Sequence, residues 1–227
     1  WRGGRARRLT SHPAEETQAT ISADGRDIAF VAAYDGVPDV YLMPLAGGAP
    51  RRLSFDGGRI WVQGFAPDGA VLYATENTIG PSLRRVLRAV DPRSGAQREY
   101  PLADANEGVF DASGETLWFT RFGLHLSTDN ARGYRGGAMA QVWRWSTGST
   151  NEAVRLAADL DANLSRPMWW NGRLYALSDA DGVANLWSMA ADGSDRRQLT
   201  RHREFEVRGP ALGDGRIVYQ HGADLRV

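Results

Sequence analysis

The chain has 227 residues, with 27 arginines, no lysine and 27 acidic side chains. Four histidines are counted separately as neutral. Balanced charge argues against a nucleic-acid partner or a polybasic membrane surface, because both need an excess of positive charge. The absence of cysteine excludes disulfides, thiolate metal sites and cysteine nucleophiles. No apolar run approaches the roughly 18 residues of a membrane-spanning helix, and Trp1-Arg2-Gly3-Gly4 lacks the apolar core of a signal peptide.

Short apolar runs recur along the chain, and each follows a turn pair ending in glycine. The runs are 28–32, 71–74, 116–119, 174–177 and 217–219. The turn pairs before them are Asp24-Gly25, Asp68-Gly69, Ser113-Gly114, Asn171-Gly172 and Asp214-Gly215. Because Asp-Gly and Asn-Gly favour the positive φ angles of tight two-residue hairpin turns, each pair predicts a strand–turn–strand unit.

The turn glycines are spaced by 44, 45, 58 and 43 residues. A period in the low forties with several strands per unit is typical of β-propeller blades. Other segments repeat in phase: 7–10, 51–54 and 197–200 close a unit, and Asp39, Gln141, Asn185 and Asp224 each open a third strand. We therefore predict an all-β chain of four-stranded antiparallel blades.

This register predicts one propeller domain over residues 1–227. It contains a partial blade at 1–10, four blades at 11–54, 55–102, 103–157 and 158–200, and a partial blade at 201–227. Two interpretations stay open. The chain is most of a six-bladed ring, or its N-terminal strand completes the last sheet and closes a five-bladed ring.

The 58-residue interval contains about 14 extra residues between the second and third strands of its unit. This segment, 123–137, includes His125, Tyr134 and Arg135. An enlarged loop is a candidate binding site, and a tolerated surface insertion is the alternative, because lengthening a loop costs little entropy.

The Tyr134-Arg135-Gly136-Gly137 stretch resembles the first propeller of tricorn-type serine proteases, and the blade repeat resembles, more distantly, TolB-like and dipeptidyl-peptidase-type propellers. The resemblance covers essentially the whole chain. It implies a six-bladed propeller in a protein with a second propeller, a PDZ-like domain and a catalytic domain elsewhere. It also implies peptide substrates, a homo-oligomer and a cytoplasmic location, with an exported bacterial form as the alternative.

The resemblance further implies that arginine on the loop entering the second full repeat binds the C-terminal carboxylate of a peptide. Here that loop offers Arg59 alone. Arginine suits this role because its planar guanidinium gives bidentate hydrogen bonds to a carboxylate. A solvated surface arginine is the alternative interpretation. The substrate-binding candidates are therefore Arg59, Tyr134, Arg135 and His125.

The sequence contains no Gly-x-Ser-x-Gly nucleophile motif, so we expect no catalytic residues in this segment, and no metal or other cofactor. Asp179-Ala180-Asp181-Gly182 begins like a calcium loop but lacks the later ligands. His12, His202 and His221 are predicted to be structural. The main alternative function is a non-enzymatic, TolB-like propeller that binds a partner protein or peptide. A glycosidase propeller ranks lower, because no acidic pair repeats in the first strands.

Overall fold

The computed structural model describes residues 7–78, 84–123 and 133–227. His125 lies outside these described residues. Within them the chain forms nineteen β-strands and no α-helix. The strands build two compact units, one that ends at Tyr100 and one that begins at Pro101.

The first unit contains two antiparallel sheets, each of four strands in chain order. The strands of the first sheet are β1 (Glu16–Ile21), β2 (Asp27–Ala32), β3 (Asp39–Pro44) and β4 (Arg51–Arg52). The strands of the second sheet are β5 (Ile60–Phe65), β6 (Val71–Thr75), β7 (Val86–Val90) and β8 (Gln97–Glu99).

The second unit contains three antiparallel sheets with the same order of strands. The strands of the third sheet are β9 (Asn106–Phe110), β10 (Thr116–Arg121), β11 (Gln141–Ser146) and β12 (Val154–Arg155). The fourth sheet has β13 (Leu164–Trp170), β14 (Arg173–Ser178), β15 (Asn185–Met189) and β16 (Arg197–Gln198). The fifth has three strands, β17 (Val207–Gly213), β18 (Arg216–His221) and β19 (Asp224–Arg226).

Each unit is held together by apolar side chains between its sheets. In the first unit, Val31 and Val40 of the first sheet pack with Val62 and Tyr73 of the second. In the second unit, Trp118 of the third sheet packs with Leu174 of the fourth, and the Trp118 ring stacks on Trp169 at 4.3 Å. One antiparallel sheet cannot bury both of its faces alone, so stacked sheets of this kind are the expected arrangement.

The turn prediction was right for two sheets and wrong in detail for three. Asn171-Gly172 and Asp214-Gly215 are two-residue turns in which both residues have positive φ. The first three sheets instead use five-residue connections, as at residues 22–26. There a side chain closes the turn: Ser22 and the Arg26 amide both donate to Asp24 Oδ1, at 2.7 and 3.1 Å. Aspartate can mimic a backbone turn in this way, so only the glycine needs positive φ.

Every first strand contains a β-bulge or register irregularity. Four of these strands have a residue in the left-handed region there: Gln18, Glu107, Arg166 and Gly209, with φ between 51° and 55°. Bulges bend a strand and increase its twist, so this irregularity is part of the repeat.

These observations confirm the all-β class and the four-stranded antiparallel blades of a β-propeller. The described residues form five sheets, the number expected for the five-bladed alternative. Residues 7–10 of the predicted partial blade form no strand. Instead Leu9 packs on the apolar cluster of Phe30, Tyr41 and Met43. The assignment of all residues to one domain stays a prediction.

Candidate functional site

The candidate residues divide between the two units. Arg59 lies between β4 and β5 in the first unit, whereas Tyr134 and Arg135 precede β11 in the second. Each place is therefore described separately. His125 is outside the described residues.

Arg59 stands on a loop that buried polar groups hold in place. Asp56 is buried, and its amide donates to Asp39 Oδ1 at 3.1 Å. Its carboxylate accepts a 2.9 Å hydrogen bond from Arg88, and its carbonyl oxygen accepts one from the Asn77 side chain. The loop is thus fixed three residues before Arg59.

Burial around this loop affects the neighbouring tyrosine. The Tyr73 hydroxyl donates to Asp56 Oδ1 at 3.5 Å. Desolvation and the Asp56 charge raise the pKa of Tyr73 well above its ordinary value, because both oppose a second negative charge. Tyr73 therefore stays protonated and continues to donate to Asp56.

The Arg59 side chain itself is exposed. Its backbone oxygen accepts from the Glu76 amide at 3.0 Å, but within residues 7–78 and 84–100 no hydrogen bond or ion pair of its guanidinium is observed. Nearby arginines are engaged: Arg88 pairs with Asp56, and Arg85 lies 3.7 Å above the Trp61 ring. Arg59 is thus an exposed guanidinium on a fixed loop.

Phe55, which sequence analysis did not single out, is 72 % exposed in the same loop. The guanidinium of Arg52 lies 4.4 Å from the centre of its ring, a favourable cation–π contact. Phe55 has no motif of its own, and only its exposure distinguishes it.

Arg135 does not point freely into solvent. Its guanidinium donates to Asp179 Oδ2 at 2.8 Å and to the Asp179 carbonyl oxygen at 3.1 Å. Asp179 follows β14 in the fourth sheet, so the pair joins the long loop of the third sheet to its neighbour. The Arg135 side chain is 35 % exposed and that of Asp179 is 10 % exposed.

Asn163 completes this network. Its backbone N–H donates to Asp179 Oδ1 at 2.8 Å. Its side-chain Nδ2 donates to Asp179 Oδ2 at 2.9 Å and to the Tyr134 carbonyl oxygen at 3.2 Å. Its Oδ1 accepts from the Ala140 amide at 2.9 Å. Asp179, the residue that opens the calcium-like stretch, therefore serves as an anchor for Arg135 and Asn163.

The Tyr-Arg-Gly-Gly stretch has a steric basis. A Cβ on Gly136 would lie 2.5 Å from the Tyr134 hydroxyl oxygen and 2.8 Å from its ring carbon. Gly133 has a positive φ of 69°, which favours glycine. The half-buried Tyr134 ring therefore folds over Gly136, and a side chain there would displace it.

The histidines differ in their surroundings. His202 stacks on His221 with ring centroids 3.8 Å apart, and its Nε2 lies 3.2 Å from the Tyr219 hydroxyl. Burial, the adjacent His221 and Arg226 lower the pKa of His202, because all three disfavour the protonated imidazole. Within the described parts of the chain, no group of three or more histidine, aspartate or glutamate side chains could hold a metal ion.

No helix formed by the described residues is long and apolar enough to cross a membrane.

Comparison with known proteins gives a consistent result. The sequence model of the family described as the tricorn protease N-terminal beta propeller domain matches residues 1–227. Two tricorn protease homologs of Streptomyces coelicolor are 35 % and 32 % identical over 98 % of this chain. The chain spans about a fifth of the length of these curated relatives, 19 % and 21 % respectively.

Solved structures show the same fold. The crystal structure of the tricorn protease aligns with a TM-score of 0.79 at 23 % identity, over 96 % of this chain and 22 % of that one. TolB from Acinetobacter baumannii aligns with a TM-score of 0.61 at 18 % identity, over 83 % of this chain and 44 % of that one.

Proposed function

The chain belongs to the family of tricorn protease N-terminal β-propeller domains, and from this premise we propose that it is the non-catalytic propeller segment of a tricorn-type serine peptidase. The family match over residues 1–227 is the observation that carries the proposal. In this account peptide hydrolysis takes place in a catalytic domain elsewhere in the protein, by a serine nucleophile with a general base and an oxyanion hole.

The segment's own contribution is to bind and guide peptides. We assign Arg59 to the free C-terminal carboxylate of a peptide. Two features support this: its side chain is exposed, and the buried Asp56 fixes its loop. A guanidinium can donate two parallel hydrogen bonds to a carboxylate, and a preorganised loop loses little entropy on binding.

A channel role is supported by the first strands of the sheets. Propeller blades surround a central channel, and in the second unit Arg166 and Arg208 place exposed polar side chains at or beside the bulges of β13 and β17. A polar lining would let hydrated peptides pass without trapping apolar side chains.

Tyr134 and Arg135 are proposed to act through the shape of their loop and not by binding the peptide carboxylate. Because Arg135 is bound to Asp179 and Tyr134 is folded over Gly136, we propose that they shape the long loop and present it to peptide. His125 belongs to the same loop in sequence, and its role stays a prediction.

The remaining partners follow from the same premise. We propose that the propeller docks against a second propeller, a PDZ-like domain and the catalytic domain of its own polypeptide. The protein is proposed to be a homo-oligomer in the cytoplasm, with export as the alternative. A TolB-like scaffold shares the fold, but the family match and the higher identities favour the peptidase.

The test of the Arg59 assignment is kinetic and uses the whole peptidase. Arg59→Ala should raise KM about tenfold for peptides with a free C-terminus and leave C-terminally amidated peptides unchanged, because only the former carry the carboxylate. Arg93→Ala, at an exposed arginine in the turn between β7 and β8, is the matched control. Equal effects on both peptide classes would disprove the assignment.

A further inference from the structure

Two arginines of the third sheet, Arg121 on β10 and Arg155 on β12, have no acidic partner. Within residues 101–123 and 133–227 neither forms a hydrogen bond or an ion pair, and the Nε atoms of both are buried without an acceptor. A buried N–H that lacks an acceptor costs free energy. Other arginines of the same unit are paired with carboxylates: Arg135 with Asp179, Arg166 with Glu107, Arg173 with Asp195 and Arg196 with Asp159.

Strand pairing places the two arginines on one face of the sheet. Arg121 is opposite Gln141, and Trp143 is opposite Phe119 on one side and Arg155 on the other. Residues that are directly opposite share a face, and so do alternate residues of one strand. The guanidinium carbon of Arg121 lies 5.1 Å from the centre of the Trp143 ring, so this ring is part of the same surface.

The polar groups of this face are donors. Gln141 Oε1 accepts from Trp143 Nε1 at 3.1 Å, which leaves the Gln141 Nε2 group as a donor beside Arg121. The four side chains of Arg121, Gln141, Trp143 and Arg155 are half-buried and so keep some contact with solvent. The other residues of β10, β11 and β12 on this face are apolar and buried: Leu117, Phe119 and Trp145. These three strands therefore offer positive charge here and no carboxylate.

The spacing of the arginines indicates what kind of anion fits. They are two strands apart and offset by two residues along the strands, which puts their Cα atoms roughly 12 Å apart. The strand that carries Trp143 runs between them, so one carboxylate is too small to reach both guanidiniums. In an extended peptide, alternate side chains point the same way from Cα atoms about 7 Å apart. Two glutamates at such positions are long enough to meet both arginines.

We propose that this face binds an extended acidic peptide segment with two glutamates separated by one residue. One carboxylate binds Arg121 and the Gln141 amide, the other binds Arg155, and the glutamate methylenes pack on Trp143. Charge-assisted hydrogen bonds of this kind are the strong ones. The inference rests on the proposed role of the propeller in guiding peptides. It differs from the Arg59 assignment because it concerns acidic side chains and not the peptide C-terminus.

The test is modification of arginine by phenylglyoxal in the whole natural polypeptide, with the modified positions found by mass spectrometry. The probe is acetyl-Glu-Ala-Glu-amide, whose blocked C-terminus gives Arg59 no carboxylate to bind. We expect Arg121 and Arg155 to be modified in the free protein, and the probe to slow both reactions about fivefold. The neutral peptide acetyl-Gln-Ala-Gln-amide should slow neither.

Variants test whether the two arginines act together. In Arg155→Gln the protection of Arg121 by the probe should fall about fivefold, because one of the two carboxylates loses its partner. Arg144→Gln is the matched control. It removes the same charge from β11 next to Trp143, but on the opposite face, and should leave the protection of Arg121 unchanged.

Three results would overturn the proposal. The first is no modification of Arg121 and Arg155 in the free protein, which would show that neither is accessible. The second is no protection by the acidic peptide, or equal protection by the acidic and neutral peptides. The third is an equal loss of protection in Arg155→Gln and Arg144→Gln, which would indicate general charge attraction. If any of these occurred in a polypeptide that a serine-directed fluorophosphonate still labels, this inference would fall and the peptidase proposal would stand.

Discussion

Arg135 and Asp179, which are 44 residues apart in sequence, form a 2.8 Å ion pair that joins the long loop of the third sheet to the end of β14 in the fourth. Asn163 binds both oxygens of the same carboxylate. The loop that resembles the tricorn family in sequence is therefore part of the packing between two blades. These contacts hold Tyr134 and Arg135 in place before any ligand binds.

Asp179 should be the more costly residue of this pair to remove. Asp179→Ala removes the carboxylate that accepts from Arg135 and from both nitrogens of Asn163, and we expect a loss of about 3 kcal/mol in the free energy of unfolding. Arg135→Ala should lose only about 1 kcal/mol, because the guanidinium is partly solvated. Urea unfolding of both variants tests the order, and a larger loss for Arg135→Ala would contradict the network.

The contact between Tyr134 and Gly136 predicts a coupled pair. Gly136→Ala should destabilise the chain by about 1–2 kcal/mol, since its Cβ would collide with the tyrosine ring. In a Tyr134→Ala background the same change should cost much less, because the obstacle is gone. Thermal unfolding of the single and double variants measures the coupling. Additive effects would show that the ring does not occupy this space.

His202 predicts a decline of stability in mild acid. Its pKa is lowered in the folded protein by burial, His221 and Arg226, so the unfolded chain binds a proton at higher pH than the folded chain. The contribution of His202 to the free energy of unfolding is complete above 6.5, the ordinary pKa of histidine, and is lost as the pH falls below that value. Urea unfolding at pH 7.5 and 5.5 should show this decline, and His202→Asn should reduce it. If His202→Asn lost as much stability between pH 7.5 and 5.5 as the unaltered chain, His202 would not be the cause of the decline.

Local sequence signals were enough to predict the second and third strands of each sheet, whereas the strand expected at residues 7–10 is absent. Glycine with positive φ at positions 25, 69, 114, 172 and 215 follows from residue type alone, and so does the alternation of buried strands with polar turns. The length of the turns was harder, because Ser22 and Asp24 close theirs by side-chain hydrogen bonds that the Asp-Gly pair does not indicate.

The site was less predictable because its contacts join distant residues. The sequence marked Arg135 and, separately, Asp179, but their pairing depends on how the third and fourth sheets stack. The fixed loop beneath Arg59 depends on Asp56 and Arg88, which lie 32 residues apart. The hydroxyl of Ser54 donates to Asp39 and that of Thr200 donates to Asn185. The sequence shows only a repeated Leu-Ser or Leu-Thr ending, and the partners become visible only when the strands are paired.

The central claim, that this propeller belongs to a serine peptidase, is tested most directly by isolating the natural polypeptide that contains the segment. Its intact mass would be measured before and after reaction with a fluorophosphonate probe for activated serines. The account predicts a polypeptide several-fold heavier than 24.9 kDa that the probe labels once per chain. A product near 24.9 kDa that the probe does not label would contradict it and would indicate a self-contained binding propeller.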